Sequence, residues 1–236
     1  MTLAAIPHAG VTVLDVWDET PALVGVRHEM PFSFARAHER PGQVVKIATA
    51  EGEGYFALAS APATEPRADR LLKRGGKGAD AALASARERR ALELSAPFGK
   101  GFPWEEARGR DVLLFAAGSG IAPVRALVQH LAANRREFER VTLFYGQRHG
   151  SEFAYTGEHL DWERSGVRVV LCPSGEDDAW PGVRGRVQEV ARTLALGGAE
   201  PGNAVAFMCG MTAMVAEVKV TLAEFGIPPA RIHLNF

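Results

Sequence analysis

Three segments in the second half of the chain place glycine beside small or polar residues directly after an apolar run. They read Gly118-Ser-Gly-Ile-Ala-Pro123, Tyr145-Gly-Gln-Arg148 and Cys209-Gly-Met-Thr212. Glycine permits a tight turn and a close approach of the backbone to a ligand, and a helix that begins there offers unpaired N–H groups to a phosphate. One such segment is equally typical of an ordinary strand-to-helix turn. Three of them along one sheet edge favour a nucleotide site.

Around these segments, apolar runs typical of strands alternate with the hydrophobic periodicity of helices. Apolar runs typical of buried strands occupy residues 112–116, 141–145, 167–171 and 204–208, with a short last run at 232–234. Helical periodicity follows them, first at Val124, Leu127, Val128 and Leu131, then over 152–164, 187–194 and 211–225. This alternation predicts an α/β doubly wound parallel sheet, in which ligands bind beyond the carboxyl ends of the strands.

The first half of the chain has a different pattern. Short β-rich runs lie at 11–17, 22–26, 43–48, 55–59 and 91–95, separated by glycine and proline, and alanine-rich residues 79–86 predict one short helix. We therefore predict a two-domain protein. An antiparallel β-barrel over residues 1–105 is followed by the parallel sheet over residues 106–236, with the boundary in the Gly-, Pro- and charge-rich stretch 99–111.

The composition excludes several classes of protein. With 47% hydrophobic residues, and 27 basic against 28 acidic residues, the 236-residue chain is neither disordered nor suited overall to nucleic acid. The longest uncharged stretch, 201–216, is shorter than the roughly 20 apolar residues of a membrane span. Residues 1–10 show no secretory signal, so we expect a cytoplasmic protein without a membrane span. Cys172 and Cys209 are too few for an iron–sulfur cluster or a zinc ribbon, and we expect no metal site.

The order of six motifs resembles the ferredoxin–NADP reductase superfamily, and within it the NAD(P)H-flavin reductases and the cytochrome b5 reductase-like oxidoreductases. The motifs are Arg40-Pro-Gly-Gln43, Phe56-Ala-Leu-Ala-Ser-Ala-Pro62, Ala96-Pro-Phe-Gly99, Gly118-Ser-Gly-Ile-Ala-Pro123, Tyr145-Gly-Gln-Arg148 and Cys209-Gly210. The resemblance extends over nearly the whole chain. It implies a flavin-binding barrel, a nicotinamide-binding α/β domain, and an NAD(P)H-dependent flavin oxidoreductase.

The resemblance also implies cofactor-binding residues. The residues implied to face the flavin ring are Phe56, Ala57, Leu58, Ala59 and Ser60, with the terminal Phe236 as a cover over the ring. Those implied to bind the flavin pyrophosphate are Gly76, Lys77, Gly78 and Ala79. Those implied to bind the nicotinamide nucleotide are Gly118, Ser119, Gly120, Pro123, Tyr145, Gly146, Arg148, Cys209, Gly210 and Met211. The implied cofactors are FAD, with FMN as the alternative, and NADH or NADPH. Hydride transfer requires no protein acid or base, so we assign none.

The sequence departs from the family at the flavin strand. The family's Arg-x-Tyr-Ser motif corresponds here to Gly54, Phe56 and Ala57. Phe56 can stack on a ring but cannot donate a hydrogen bond, and Ala57 offers only its backbone. Met211 replaces the proline of a Cys-Gly-Pro motif. These departures leave open a partner-dependent electron-transfer module, or a redox-inactive relict with weakened flavin binding.

A basic segment accompanies this departure. Residues 67–90 hold eight basic and three acidic residues. This segment is either a solvated charged face or a source of cations, such as Lys73 and Arg74, that replace the missing arginine beside the flavin pyrophosphate. Its lack of aromatic residues disfavours a nucleic-acid site.

The sequence indicates only in part which nicotinamide nucleotide donates the hydride and which molecule accepts the electrons. Cys172-Pro173 stands where some NADPH-using relatives have Ser-Arg, and Asp177 and Asp178 follow, which favours NADH, although Arg148, Arg184 and Arg186 could offset those carboxylates. The sequence does not distinguish among four electron acceptors: free flavin, a quinone, a haem protein and a small redox protein.

Overall fold

The computed structural model describes residues 6–63, 65–176 and 180–235. Its first half is a six-stranded antiparallel sheet in the order β4-β3-β6-β1-β2-β5. The strands are β1 (His8–Asp18), β2 (Leu23–Glu29), β3 (Val44–Thr49), β4 (Gly52–Ala57), β5 (Arg67–Lys73) and β6 (Ala91–Ser95). A bridge between Leu58 and Arg70 joins the two edges of the sheet, so the predicted barrel is confirmed.

Every second side chain along these strands faces the interior of the barrel, and these side chains fill it. Val24 and Val26 on β2 and Val45 and Ile47 on β3 are buried in one hydrophobic cluster. Their neighbours along each strand face outward or toward the second half of the chain. Two helices flank the barrel, α1 (Phe32–Ala37) and α2 (Lys77–Ala84), and α2 ends in a wider turn over Ser85–Arg89. The predicted helix is therefore present and begins two residues earlier than expected.

The basic segment does not form the single solvated face that we considered. Its first seven residues are strand β5, on which Asp69 and Arg70 are buried. The sequence pattern missed this strand because two adjacent charged residues lie inside it. Asp69 is paired across the strands with Arg27, whereas Arg70 faces the barrel interior beside Val26.

The second half is a five-stranded parallel sheet in the order β11-β10-β7-β8-β9. Its strands are β7 (Asp111–Ala117), β8 (Val141–Gln147), β9 (Val167–Pro173), β10 (Ala204–Cys209) and β11 (Ile232–Leu234). Its helices are α3 (Ile121–Ala133), α4 (Thr156–Arg164), α5 (Val187–Thr193) and α6 (Thr212–Glu224). Counted from β7, the spatial order is 3-2-1-4-5, so the order reverses between β7 and β10. The predicted doubly wound sheet is confirmed.

One helix boundary was wrong. The sequence pattern started a helix at Glu152, whereas α4 begins at Thr156. A short 3₁₀ turn over Gly150–Glu152 precedes it, and Tyr155 then adopts a left-handed conformation with φ of 60°. That backbone conformation cannot continue an α-helix, so the two segments stay separate.

The two halves share a hydrophobic core. One cluster contains Leu23, Ala59 and Leu71 from the barrel together with Ile121 and Cys209 from the parallel sheet. The short turn Trp104–Ala107 lies between β6 and β7, and the division at 105/106 stays a prediction. Among the described residues, no helix combines the length and the apolar character needed to cross a membrane.

Candidate functional site

The candidate site lies beyond the carboxyl ends of the paired strands β7 and β10, at the reversal of strand order. This is the position of the ligand crevice in open parallel sheets. Gly118–Gly120 form a tight turn between β7 and α3, and Gly118 has a φ of +58°. A Cβ atom on Gly120 would lie 2.3 Å from the carbonyl oxygen of Cys209, so this turn lies directly against the end of β10. The structure therefore brings together the first and third glycine segments at the predicted edge.

Gly146 and Gly210, the glycines of the other strand ends, lie against neighbouring side chains. A Cβ on Gly210 would lie 2.7 Å from Cε of Met214, and one on Gly146 would lie 2.7 Å from Cγ1 of Val187. By contrast, a Cβ on Gly118 would meet nothing within 4 Å. The glycines thus serve the fold itself, while Gly118 and the half-buried Ser119 leave an open side to the turn.

The start of α3 carries no opposing negative charge. The helix has no side-chain cap and no acidic residue in its first turn, so no carboxylate opposes the positive end of the helix dipole. The N–H of its first residue, Ile121, is bonded to carbonyl oxygens of the turn Gly118–Gly120, and Ile121 and Ala122 are buried. Pro123 is buried at the third helical position, where a missing N–H costs nothing.

The side chains at the strand ends differ in exposure. Met211 is 69% exposed at the crevice, whereas Cys209 is buried, and burial raises the pKa of its thiol to about 12. Tyr145 is fully buried: its hydroxyl accepts hydrogen bonds from Nε2 of Gln147 at 2.9 Å and from the Ala154 N–H at 3.2 Å. Tyr145 therefore belongs to the core, and its side chain does not reach the crevice as the resemblance implied.

The candidate donor-specificity residues lie beyond β8 and β9. Arg148 is exposed, and its guanidinium has no partner among the residues that the structure describes. Arg186 pairs with Glu217 at 3.2 Å, so this cation is already engaged. Asp177 and Asp178, the carboxylates expected to disfavour a 2′-phosphate, lie outside the described residues.

On the barrel, the segment predicted to face a flavin ring continues from β4. Phe56 and Ala57 are half-buried, and Leu58 and Ala59 are buried. A Cβ on Gly54 would lie 2.6 Å from Cε2 of Phe56, so the Phe56 ring covers the space that a side chain at position 54 needs. The oxygen Oγ of half-buried Ser60 accepts a hydrogen bond from the Asp69 N–H at 3.1 Å.

Residues 76–79, which the resemblance assigns to the flavin pyrophosphate, lie at the start of α2. Gly76 and Lys77 are exposed, and a Cβ on Gly78 would meet nothing within 4 Å. Asp80 accepts the N–H of Gly75 at 3.1 Å, and α2 has no side-chain cap, so its own first N–H groups stay available. This segment is open and polar.

Most cations of the basic segment have protein partners. Arg74 and Arg87 both donate to Oδ1 of Asp18, at 2.5 and 2.7 Å. Lys73 and Lys77 are exposed and have no ion pair within the described part of the chain. Of the two cations predicted to replace the missing arginine, Arg74 is therefore occupied and Lys73 is not.

The sequence analysis assigned no role to two side chains, Gln43 and Arg125, whose contacts the structure shows. Gln43 fixes the turn before β3, because its Oε1 accepts the N–H groups of Glu39 and Arg40 at 2.7 and 3.0 Å. Arg125 is buried on α3 and contacts the barrel. Phe236, the predicted flavin cover, lies outside the described residues, while the preceding Asn235 donates to the Gly42 carbonyl at 3.3 Å.

Comparison with known proteins agrees with this arrangement. Residues 114–219 match the family model of the oxidoreductase NAD-binding domain. The chain is 27% identical to the sulfhydrogenase 1 subunit gamma of Pyrococcus furiosus, over 95% of this chain and 78% of that protein. It is 28% identical to the probable dihydroorotate dehydrogenase B (NAD(+)), electron transfer subunit, of Methanothermobacter thermautotrophicus, over 82% of this chain and 66% of that protein.

The fold is also similar to that of solved structures. One is a ferredoxin NADP+ reductase from Neisseria gonorrhoeae with bound FAD and NADP, with a TM-score of 0.80 and 18% sequence identity. The alignment covers 97% of this chain and 99% of that one. The likeness confirms the arrangement of a barrel followed by a parallel sheet.

Proposed function

This chain belongs to the ferredoxin reductase-like superfamily of NAD(P)H-dependent oxidoreductases, and on that premise we propose that it passes a hydride from a nicotinamide nucleotide to a flavin and electrons on to a separate acceptor. The observation that carries the proposal is the contact between Gly120 and Cys209 at the reversal of strand order. That contact places an open glycine turn and a helix N-terminus at the strand ends where open parallel sheets bind dinucleotides.

The nicotinamide nucleotide fits this crevice. Gly118 and Ser119 would hold the pyrophosphate, since the turn is open at Gly118 and no carboxylate opposes the positive end of the α3 dipole that follows. Cys209 and the exposed Met211 would flank the nicotinamide ring. Gly146 would border the nucleotide with its backbone, and Tyr145 would support that backbone from the core.

The flavin fits the barrel less closely. The first N–H groups of α2, at Lys77, Gly78 and Ala79, would hold the flavin pyrophosphate, and the unpaired Lys73 and Lys77 would supply positive charge. The segment 56–60 would face the ring, through the Phe56 side chain and through backbone groups. FAD is preferred to FMN on the family resemblance alone.

In this reaction the protein would bind and orient the two cofactors and exclude water from them. Bound flavin supplies a hydride acceptor at N5 and can release electrons one or two at a time. The Cys209 thiol stays protonated at neutral pH, because burial raises its pKa to about 12, and so it acts as a small apolar neighbour rather than a nucleophile.

We propose NADH as the preferred donor. A 2′-phosphate requires cations with free donors. Arg186 is bound to Glu217, β9 ends in Cys172-Pro173 without a cation, and the hydroxyl of the following Ser174 donates to the Gln147 carbonyl at 3.2 Å. Arg148 is the exposed cation that could still favour NADPH.

The acceptor is proposed as a separate molecule. The two relatives described above are named as a gamma subunit and as an electron transfer subunit. By analogy, the acceptor is a redox protein or a haem protein that binds this chain. A quinone or free flavin is the alternative.

A second candidate function is a partner-dependent module that holds flavin weakly or not at all. The observation that favours it is the position of the Phe56 ring over Gly54, where the family motif has its phosphate-binding arginine. In that case the barrel would accept flavin from solution, or would need a partner to retain it.

Steady-state turnover tests the proposal. Purified protein supplied with FAD should oxidise NADH in the presence of ferricyanide, with a higher kcat/KM for NADH than for NADPH. Turnover that requires stoichiometric excess of free flavin would favour the second candidate. Absence of turnover with FAD, FMN and either nucleotide would refute the oxidoreductase proposal.

A further inference from the structure

A buried arginine connects the nicotinamide half of the crevice to the flavin half. Arg125 lies on α3 and is only 6% exposed. Its Nη1 donates to the carbonyl oxygen of Ala59 at 2.7 Å and lies 3.4 Å from Oδ2 of Asp69. Its Nε and Nη2 donate to the carboxylate of Glu158 on α4, with a shortest distance of 2.6 Å.

The partners of Arg125 are themselves fixed. Arg27 on β2 donates to both carboxylate oxygens of Asp69, at 2.7 and 2.9 Å. The ring of Tyr155 lies 4.6 Å from Cζ of Arg125. Burial opposes the charge on Arg125, but the hydrogen bond with Glu158 and the nearby anions outweigh it, so the pKa of Arg125 is raised.

Gln129, one helical turn further along α3, makes a second contact with the same barrel segment. Its Oε1 accepts the N–H of Ala61 at 3.0 Å. Residues 59–61 are thus held at two points by one face of α3. This segment directly continues Phe56 and Ala57, while α3 directly continues the turn Gly118–Gly120.

From this geometry we infer that Arg125 is a positioning residue for the proposed reaction, setting the distance between the flavin-facing segment and the nicotinamide-facing turn. The inference rests on the proposed function. Hydride transfer is efficient only when donor and acceptor atoms approach to about 3–3.5 Å, and a displacement of about 1 Å can cost about 100-fold in rate. A planar guanidinium can serve Ala59, Asp69 and Glu158 together, because its donors form a rigid fork.

Arg125→Lys separates positioning from charge. Lysine retains the positive charge beside Asp69 and Glu158 but cannot hold both the Ala59 carbonyl and the Glu158 carboxylate in the same geometry. The matched control is Arg192→Lys. Arg192 donates to Glu224 at 2.6 Å in an exposed ion pair between α5 and α6, away from the barrel.

Two measurements on the full chain test the role. The first is hydrogen exchange of the Ala61 amide in the protein without nucleotide. The second is the limiting rate of flavin reduction at saturating NADH, with the flavin content of each sample measured. We expect Arg125→Lys to speed Ala61 exchange at least 10-fold and to slow reduction 10- to 100-fold. The dissociation constant for NADH and the flavin content should stay within about 2-fold, and Arg192→Lys should change none of these.

Unchanged exchange and unchanged reduction in Arg125→Lys would overturn the inference, as would a slower rate that lost flavin fully explains. Wild-type protein that NADH does not reduce would instead refute the proposed function. If Arg125→Lys does not fold, Gln129→Leu removes the second contact without exposing the buried charges. It should shift exchange and rate in the same direction, and no shift would overturn the inference.

Discussion

The carbonyl oxygen of Cys209 lies 2.3 Å from the position that a Cβ atom on Gly120 would take. The turn after β7 and the end of β10 are therefore in direct backbone contact, and no side chain fits between them. This contact lies at the strand ends where a nicotinamide nucleotide is proposed to bind.

Gly120→Ala should weaken nucleotide binding, because the new methyl group displaces the turn or the end of β10. We expect the dissociation constant for NADH, measured by calorimetry, to rise at least 10-fold. Gly202→Ala is the control, since a Cβ there meets nothing within 4 Å and Gly202 precedes β10, at the opposite end of that strand from Cys209. Unchanged NADH binding in Gly120→Ala would place the nucleotide elsewhere.

Phe56→Leu should weaken flavin binding without affecting NADH binding. Aromatic stacking contributes about 0.5–1.5 kcal/mol, which corresponds to a loss of about 2- to 12-fold in flavin affinity. Tyr55→Leu is the matched control, because Tyr55 is the preceding residue and its side chain is exposed. Flavin affinity can be measured by fluorescence quenching. An equal loss in both variants would argue against stacking by Phe56.

The sequence patterns predicted the alternating half of the molecule well, because its strands are continuous apolar runs. They missed β5, since Asp69 and Arg70 are charged yet buried. They also missed Arg125, which stands beside Val124 and outside the apolar stripe of α3 and therefore looks like a solvent-facing residue. Its burial comes from the barrel packed against α3, a tertiary contact that helical periodicity does not encode.

Arg70 offers a test of stability. Its side chain is fully buried in the barrel, and its three guanidinium nitrogens have no hydrogen-bond partner within residues 6–63, 65–176 and 180–235. Burial lowers the pKa of Arg70 to about 9. Arg70→Met should therefore raise the free energy of unfolding by about 1–4 kcal/mol, since it replaces a buried charge by an apolar chain of similar length.

Urea denaturation measures this change. The control is Arg67→Met on the same strand, where the exposed Arg67 pairs with exposed Glu65 and its loss should change stability by less than about 0.5 kcal/mol. A destabilised Arg70→Met would show that the guanidinium makes favourable interactions inside the barrel.

The lowered pKa of His38 predicts that the protein loses stability in acid. Burial, with a contribution from Arg70, lowers the pKa of His38 to about 4, against about 6.5 for an unfolded chain. Between these pH values the unfolded chain binds a proton that the folded protein does not, so stability falls as pH decreases from 6.5 toward 4. The loss attributable to His38 is about 3 kcal/mol at pH 4.

His38→Leu should remove this part of the acid dependence. The free energy of unfolding, measured by urea denaturation at pH 7.5 and at pH 4.5, should differ by about 2 kcal/mol less in His38→Leu than in the wild-type protein. The exposed His8 is the control, and His8→Gln should leave the difference unchanged. An identical pH dependence in His38→Leu and wild type would contradict the assignment.

We propose above that this chain passes a hydride from NADH to a bound flavin. The visible absorption spectrum of the purified protein, reconstituted with FAD and desalted, tests this during anaerobic titration with NADH. We expect flavin bands that bleach with about one equivalent of NADH per flavin and more slowly with NADPH. Flavin bands that neither nucleotide bleaches, or a protein that retains neither FAD nor FMN and does not reduce them when they are added free, would contradict it.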